Sequence, residues 1–160
     1  MNVKKHTWKT YAFWIILAEA VGFLAGWLTR KGTKAYEAAA QKPPLTPPGV
    51  VFPIVWTILF ALMGIGGARI WRAPKSKERT RGIKLFGVQL AVNFFWSILF
   101  FGLQTFALAF WWLVLLWGLI LAMIRTFAKV DRVAAWLQVP YLIWVTFAGY
   151  LNAGVWFLNR

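Results

Sequence analysis

No cysteine occurs in this chain, and only four of its 160 residues are acidic. The first absence removes disulfides, thiolate metal sites and cysteine nucleophiles. The second leaves no carboxylate pair for acid–base work, and a single histidine, His6, has no ligand partners around it. Neither a Ser/His/Asp set nor a glycine-rich phosphate loop is present. Conventional hydrolase or transferase chemistry therefore has no residues to run on, and a bound metal is not expected.

Charge is also missing from long parts of the chain. Thr10–Leu28 carries one charge, Glu19; Val50–Ala68, Leu85–Leu103, Phe106–Ile124 and Val133–Leu158 carry none. A helix rising about 1.5 Å per residue needs roughly 20 such residues to cross the hydrocarbon core. The expected fold is all-α: an integral membrane bundle of five transmembrane helices over about 10–28, 50–68, 85–103, 106–124 and 133–158, in one domain covering 1–160. Residues are 61% hydrophobic and 14% charged, so the charges must lie almost wholly in the connectors.

What is abundant is positive charge, a net +14. On a soluble protein this would suggest nucleic acid. Here the cations are divided among short loops, where anionic lipid headgroups account for them, so no nucleic-acid partner is expected. Lys4, Lys5 and Lys9 precede the first apolar run as in a signal peptide, but the run is too long and ends on bulky Gly26-Trp27-Leu28, which predicts a retained helix. The connectors on the N-terminal side hold Lys4, Lys5, Lys9, Arg69, Arg72, Lys75, Lys77, Arg79, Arg81, Lys84, Arg125, Lys129 and Arg132. The other side holds only Arg30, Lys31, Lys34, Lys42 and Arg160. That bias predicts a multi-pass cell-membrane protein with its N-terminus inside and its C-terminus outside.

Between the third and fourth spans only Gln104-Thr105 interrupts the apolar runs, so these helices should be adjacent and antiparallel. In the 30–49 loop, Thr33–Gln41 predicts a short helix with Thr33 as a cap and Glu37 in its first turn. Four prolines in Lys42–Gly49 then forbid helix and predict a stiff, extended lid over the mouth of the bundle. No internal repeat is visible, which counts against an alternating-access transporter.

Twelve tryptophans are the other excess. Trp8, Trp27, Trp71, Trp111, Trp112, Trp136 and Trp156 fall near span ends, where indoles sit at the headgroup level. Trp56, Trp96, Trp117 and Trp144 fall deeper and either pack, face lipid or line a pocket. On the third span Gln89, Asn93, Trp96 and Phe100 share one stripe. Trp56, Phe60 and Met63 do so on the second span, and Tyr141, Trp144, Ala148, Leu151 and Asn152 on the fifth, where Pro140 is expected to kink the helix. Three aromatic stripes can enclose a flat hydrophobic ligand, with the amides orienting it. Glu19, in mid-span, has three readings: a neutral acid, a partner of a neighbour's amide, or part of an ion path. Gly22/Gly26 and Gly87/Ala91 supply small-xxx-small contacts, either within the chain or in a homodimer.

The chain resembles the translocator protein, or tryptophan-rich sensory protein, family. The resemblance lies in Tyr36 through Gln41, Lys42-Pro43 and Pro47-Pro48-Gly49; in Pro53-Ile54-Val55-Trp56 with Leu59-Phe60; in Gln89 through Asn93 with Trp96 and Phe100-Phe101-Gly102; and in Val139 through Trp144, Phe147-Ala148, Leu151-Asn152 and Trp156. It implies a five-helix bundle whose pocket opens beneath the first long loop and takes porphyrin, haem and other flat hydrophobic ligands, with no cofactor required. By position, Trp56 and Trp144 resemble the family's paired pocket tryptophans, and Tyr36 the loop tyrosine implicated with them in light-dependent porphyrin breakdown. Asn93, Trp96, Ala148 and Leu151 resemble pocket-lining positions. Together with Phe60, Gln89, Phe100 and Tyr141 these make up the expected ligand site. Three positions depart from the family: Leu45 where an aromatic is common, Ala35 where a tryptophan commonly precedes Tyr36, and Ala153 where the sterol-recognition pattern needs a tyrosine. The resemblance implies a receptor or sensor; the alternative is a transporter of porphyrin or another hydrophobic solute.

Overall fold

The computed structural model describes residues 7–160, so the expectations resting on Lys4, Lys5 and His6 lie outside the described residues. The described chain is helical almost throughout: α1 (Thr7–Leu28), α2 (Arg30–Ala39), α3 (Val51–Trp71), α4 (Lys77–Ser97), α5 (Phe106–Ala128), α6 (Arg132–Trp136) and α7 (Val139–Leu158). A π turn, Ile98–Gly102, prolongs α4. Among the described residues, five segments are long and apolar enough to cross a membrane: Thr7–Leu28, Val51–Trp71, Lys77–Gly102, Phe106–Ala128 and Arg132–Leu158.

Small residues set the packing. A side-chain carbon on Gly64 would collide with the backbone of Trp14 and Ile15, so α3 lies directly on α1. Gly22 meets the Phe60 ring in the same way, which makes this half of the first small-residue pair an intrachain contact. Gly26 and Gly87 have nothing within 4 Å and face outward. Trp14 is buried, edge-on to Phe86 of α4 at 5.1 Å. As expected, α4 and α5 pack as neighbours across a three-residue connector, Leu103–Thr105, in which Gln104 takes the left-handed conformation (φ 51°).

Four local expectations are corrected. Helix α2 begins at Arg30 rather than Thr33, because Thr29 alone separates it from α1; the Thr33 hydroxyl donates back to the Thr29 carbonyl at 3.0 Å instead of capping. The proline segment is not continuously extended: it turns at Leu45 (φ 71°), with the Thr46 hydroxyl donating to the Pro43 carbonyl at 2.6 Å. The fifth span is broken rather than kinked. Its chain stops after Trp136 and restarts at Val139, which places Pro140 in a first turn where its missing donor costs nothing. Helix α4 starts at Lys77, well before its apolar run, because Ser76 caps it by accepting the Arg79 N–H at 3.1 Å and Glu78 occupies the first turn.

Candidate functional site

The expected stripe on α4 is buried and faces α7 through polar groups. Tyr141 donates its hydroxyl proton to Gln89 Oε1 at 2.7 Å and accepts from Asn93 Nδ2 at 2.6 Å. Gln89 Nε2 donates to the Met63 sulfur of α3 at 3.7 Å. One turn further along, Trp96 Nε1 donates to Asn152 Oδ1 at 3.0 Å, and Asn152 Nδ2 donates to the Phe106 carbonyl at 2.8 Å. Gln89, Asn93, Tyr141 and Asn152 are all buried, so each bond replaces water that hydrocarbon cannot supply. Ala148 and Leu151 complete the buried face of α7.

Trp56 and Trp144 flank this ladder from α3 and α7. Trp56 lies against Phe60 at 5.5 Å and against Tyr141 at 6.2 Å; Trp144 lies against Phe52 of α3 at 5.8 Å and Phe147 at 5.6 Å. Both are half-buried. Other deep indoles are pinned: Trp96 by Asn152, Trp112 to the Val92 carbonyl at 2.7 Å and Trp117 to the Thr146 hydroxyl at 2.9 Å. Trp112 is thus a tie between α5 and α4 rather than a headgroup anchor. Neither Trp56 nor Trp144 donates its indole N–H to any described residue, and the side-chain Oδ1 of Asn93 accepts from none.

Tyr36 belongs to a different cluster. It sits over the end of α4, edge-on to Phe100 at 5.2 Å, Phe101 at 5.3 Å and Phe106 at 6.4 Å, and makes no ring contact with Trp56 or Trp144. The π turn makes this possible. Its Leu103 N–H reaches the Ile98 carbonyl five residues back at 2.8 Å, and the widened turn brings consecutive phenylalanines to one tyrosine. Burial, with a smaller contribution from the Glu37 carboxylate, pushes the Tyr36 hydroxyl up to about 12. Phe100 also stacks on Trp96 at 5.1 Å, linking the mouth to the ladder.

The proline segment closes over the same end. Gln41 and Asn159 exchange two bonds, at 2.9 and 2.7 Å; the Tyr150 hydroxyl donates to the Pro44 carbonyl at 2.7 Å; and buried Pro43 packs on Gly154. Lys42 lies over the Tyr36 ring at 5.0 Å and donates to the Ala40 and Glu37 carbonyls at 3.2 Å.

Several residues of the site are not among those expected from the sequence. Phe52 and Phe147, which hold Trp144, sit inside uncharged, largely apolar runs, so periodicity does not single them out. Gln138 is a fourth buried amide; its Nε2 donates to the Leu62 carbonyl at 3.3 Å over Gly66, and its Oε1 has no partner among the described residues. An uncharged amide inside an apolar run was the available signal, as it was for Gln89. Arg69 and Asp131 pair at 2.7 Å while Asp131 caps α6 through the Val133 N–H at 2.9 Å. Glu19, half-buried on α1, makes no hydrogen bond or ion pair with any described residue, so it is not held by a neighbour's amide.

A five-span helical bundle with a buried amide ladder, flanked by aromatic rings and closed at one end by a proline segment, defines a class: a multi-pass membrane protein. The chain matches the TspO/MBR family over residues 14–157 and belongs to it. It is 42% identical to the tryptophan-rich protein TspO of Chlorobaculum tepidum over 151 residues, 94% of this chain and 96% of that protein. It is 40% identical to protein CrtK of Rhodobacter capsulatus over 126 residues, 78% of this chain and 79% of that protein. Against the translocator protein of Bos taurus the identity is 35% over 155 residues, 96% of this chain and 92% of that protein.

Proposed function

We propose that this chain is a cell-membrane receptor or sensor that binds tetrapyrroles, porphyrin and haem among them, and other flat hydrophobic ligands between α3, α4 and α7. The observation that supports it best is that Trp56, against Tyr141 of the buried ladder, and Trp144, against Phe52 of α3, leave their indole N–H groups unpaired among the described residues. Their faces suit a macrocycle, their N–H groups suit its carboxylates, and the Asn93 carbonyl suits a pyrrole N–H. Phe60, Gln89, Trp96, Phe100, Tyr141, Ala148 and Leu151 shape the floor and wall, and Tyr36 anchors the mouth. No cofactor is required.

A slow, light-dependent breakdown of bound porphyrin is proposed as well. An excited porphyrin beside an electron-rich indole can oxidise it or generate reactive oxygen. We place the N-terminus inside and the C-terminus outside, and propose a homodimer through the open face at Gly26.

Titrating purified protein with protoporphyrin tests the reading: tryptophan emission should be quenched, and Trp56→Phe with Trp144→Phe should abolish the breakdown. Unchanged breakdown in the double variant rejects the photochemical role and leaves binding standing. Net ligand flux across sealed vesicles would replace the receptor with the rival transporter.

A further inference from the structure

The connector from α3 into α4 gathers positive charge on one surface. Lys75, Lys77, Arg79, Arg81 and Lys84 line a single open hollow, and Glu78, in the first turn of α4, is the only carboxylate between residues 72 and 84. The turn is rigidly built: the Arg79 guanidinium donates to the Trp71 carbonyl at 3.1 and 2.7 Å and lies over the Trp71 ring at 4.7 Å. That commits Arg79 internally. Lys75, Lys77, Arg81 and Lys84 are exposed and make no side-chain bond or ion pair with any described residue.

Lys77, Arg81 and Lys84 follow one another at steps of four and three, so they stand on one face of α4. The same steps continue into Val88, Ala91 and Phe95, all exposed, with Gly87 alongside and nothing within 4 Å of it. One stripe of the helix is therefore cationic and then apolar, with a shallow place at Gly87 and Ala91. At about 1.5 Å per residue the cations spread over roughly 10 Å, more than one phosphate spans. The apolar run starts at Leu85, which puts the cations in the headgroup layer and the apolar stretch among acyl chains.

We infer that this stripe is a docking site for an anionic phospholipid whose headgroup carries two phosphates, seated with its phosphates on Lys77, Arg81 and Lys84 and an acyl chain along Gly87, Val88 and Ala91. A soluble anion would use the cations and leave the apolar half bare. The lipid uses both. The site is separate from the ligand pocket and does not depend on the tetrapyrrole reading.

Native mass spectrometry of the purified full chain, with phosphatidylcholine and cardiolipin offered in equal amounts, tests it. The wild type should retain cardiolipin more than about tenfold better, since each of the three cations at the surface adds roughly a fivefold increment. Lys77→Gln/Arg81→Gln/Lys84→Gln should lose that preference, while Arg125→Gln/Lys129→Gln/Arg132→Gln, with the same net charge, should keep it. Equal loss in both variants, or no preference in the wild type, overturns the site. Displacement of the lipid by millimolar inorganic phosphate also overturns it, because the occupant is then a free anion. Should the triple variant lose helicity, Arg81→Gln alone carries the test, with an intermediate loss expected.

Discussion

The hydroxyl of Tyr141 donates to Gln89 Oε1 at 2.7 Å, joining α7 to α4 at a depth where neither group has access to water. Removing that hydroxyl leaves Gln89 Oε1 and Asn93 Nδ2 without their partner. Tyr141→Phe should destabilise the bundle by about 1–3 kcal/mol, the cost of stranded buried polar groups. The loss should appear as a lower thermal midpoint in detergent. A midpoint equal to the wild type would mean that the ladder contributes nothing to stability.

Asn159 holds the proline lid from the end of α7 through its two bonds with Gln41. Exchange of the amide hydrogens between residues 40 and 50 should quicken in Asn159→Ala by about thirtyfold, as expected for two bonds near 1 kcal/mol each. Release of the proposed porphyrin ligand should accelerate with it. Exchange rates unchanged from wild type would show that Pro43 and Tyr150 suffice.

The Tyr36 hydroxyl supplies a pH test. Its folded value, about 12, lies above the ordinary value of 10, because burial and the Glu37 carboxylate both disfavour the phenolate. A raised value favours folding fully below the unfolded value and loses that contribution as pH climbs through the folded one. The thermal midpoint should therefore fall more steeply between pH 10 and 12 in the wild type than in Tyr36→Phe. The difference between the two curves is the readout, because the two proteins share every other group. Parallel curves would refute the assignment.

Arg69 and Asp131 pair at 2.7 Å, one third and one fifth exposed, at the junction of α3 and α6. Asp131→Ala should cost more than Arg69→Met, because the carboxylate also caps α6; the cap adds about 1 kcal/mol. A double-mutant cycle should return a coupling of about 1 kcal/mol or less, typical of a partly exposed pair. Zero coupling would leave the cap as the whole contribution of Asp131.

The spans are legible in the sequence because hydrocarbon demands uninterrupted apolar runs, and the α4 stripe is legible because its amides stand out against them. Helix ends are not. Lys77–Lys84 is helical although it is charged, since a Ser76 cap sets the start and hydropathy does not register caps. Trp14 could not be assigned from sequence: lipid-facing and core-facing positions are equally apolar on α1, so periodicity carries no contrast. The pairing of Tyr141 with Gln89 and of Trp96 with Asn152 depends on how α4 and α7 slide past each other, which no single helix encodes. Tyr36 shows the same limit. Its resemblance to a loop tyrosine implies a shared role with Trp56 and Trp144 but carries no neighbours, and the π turn that presents Phe100 and Phe101 to it leaves no mark in the sequence.

That π turn also couples winding to aperture. Gly32 of α2 rests on the carbonyl of Phe101 with no room for a side chain, so α2 is seated on backbone that the wide turn exposes. Tightening the turn to ordinary α geometry would swing Phe101 by about 100°. Its carbonyl would leave Gly32 and its ring would leave Tyr36 together. A single inserted or deleted residue between Ile98 and Gly102 would therefore unseat α2 without touching it.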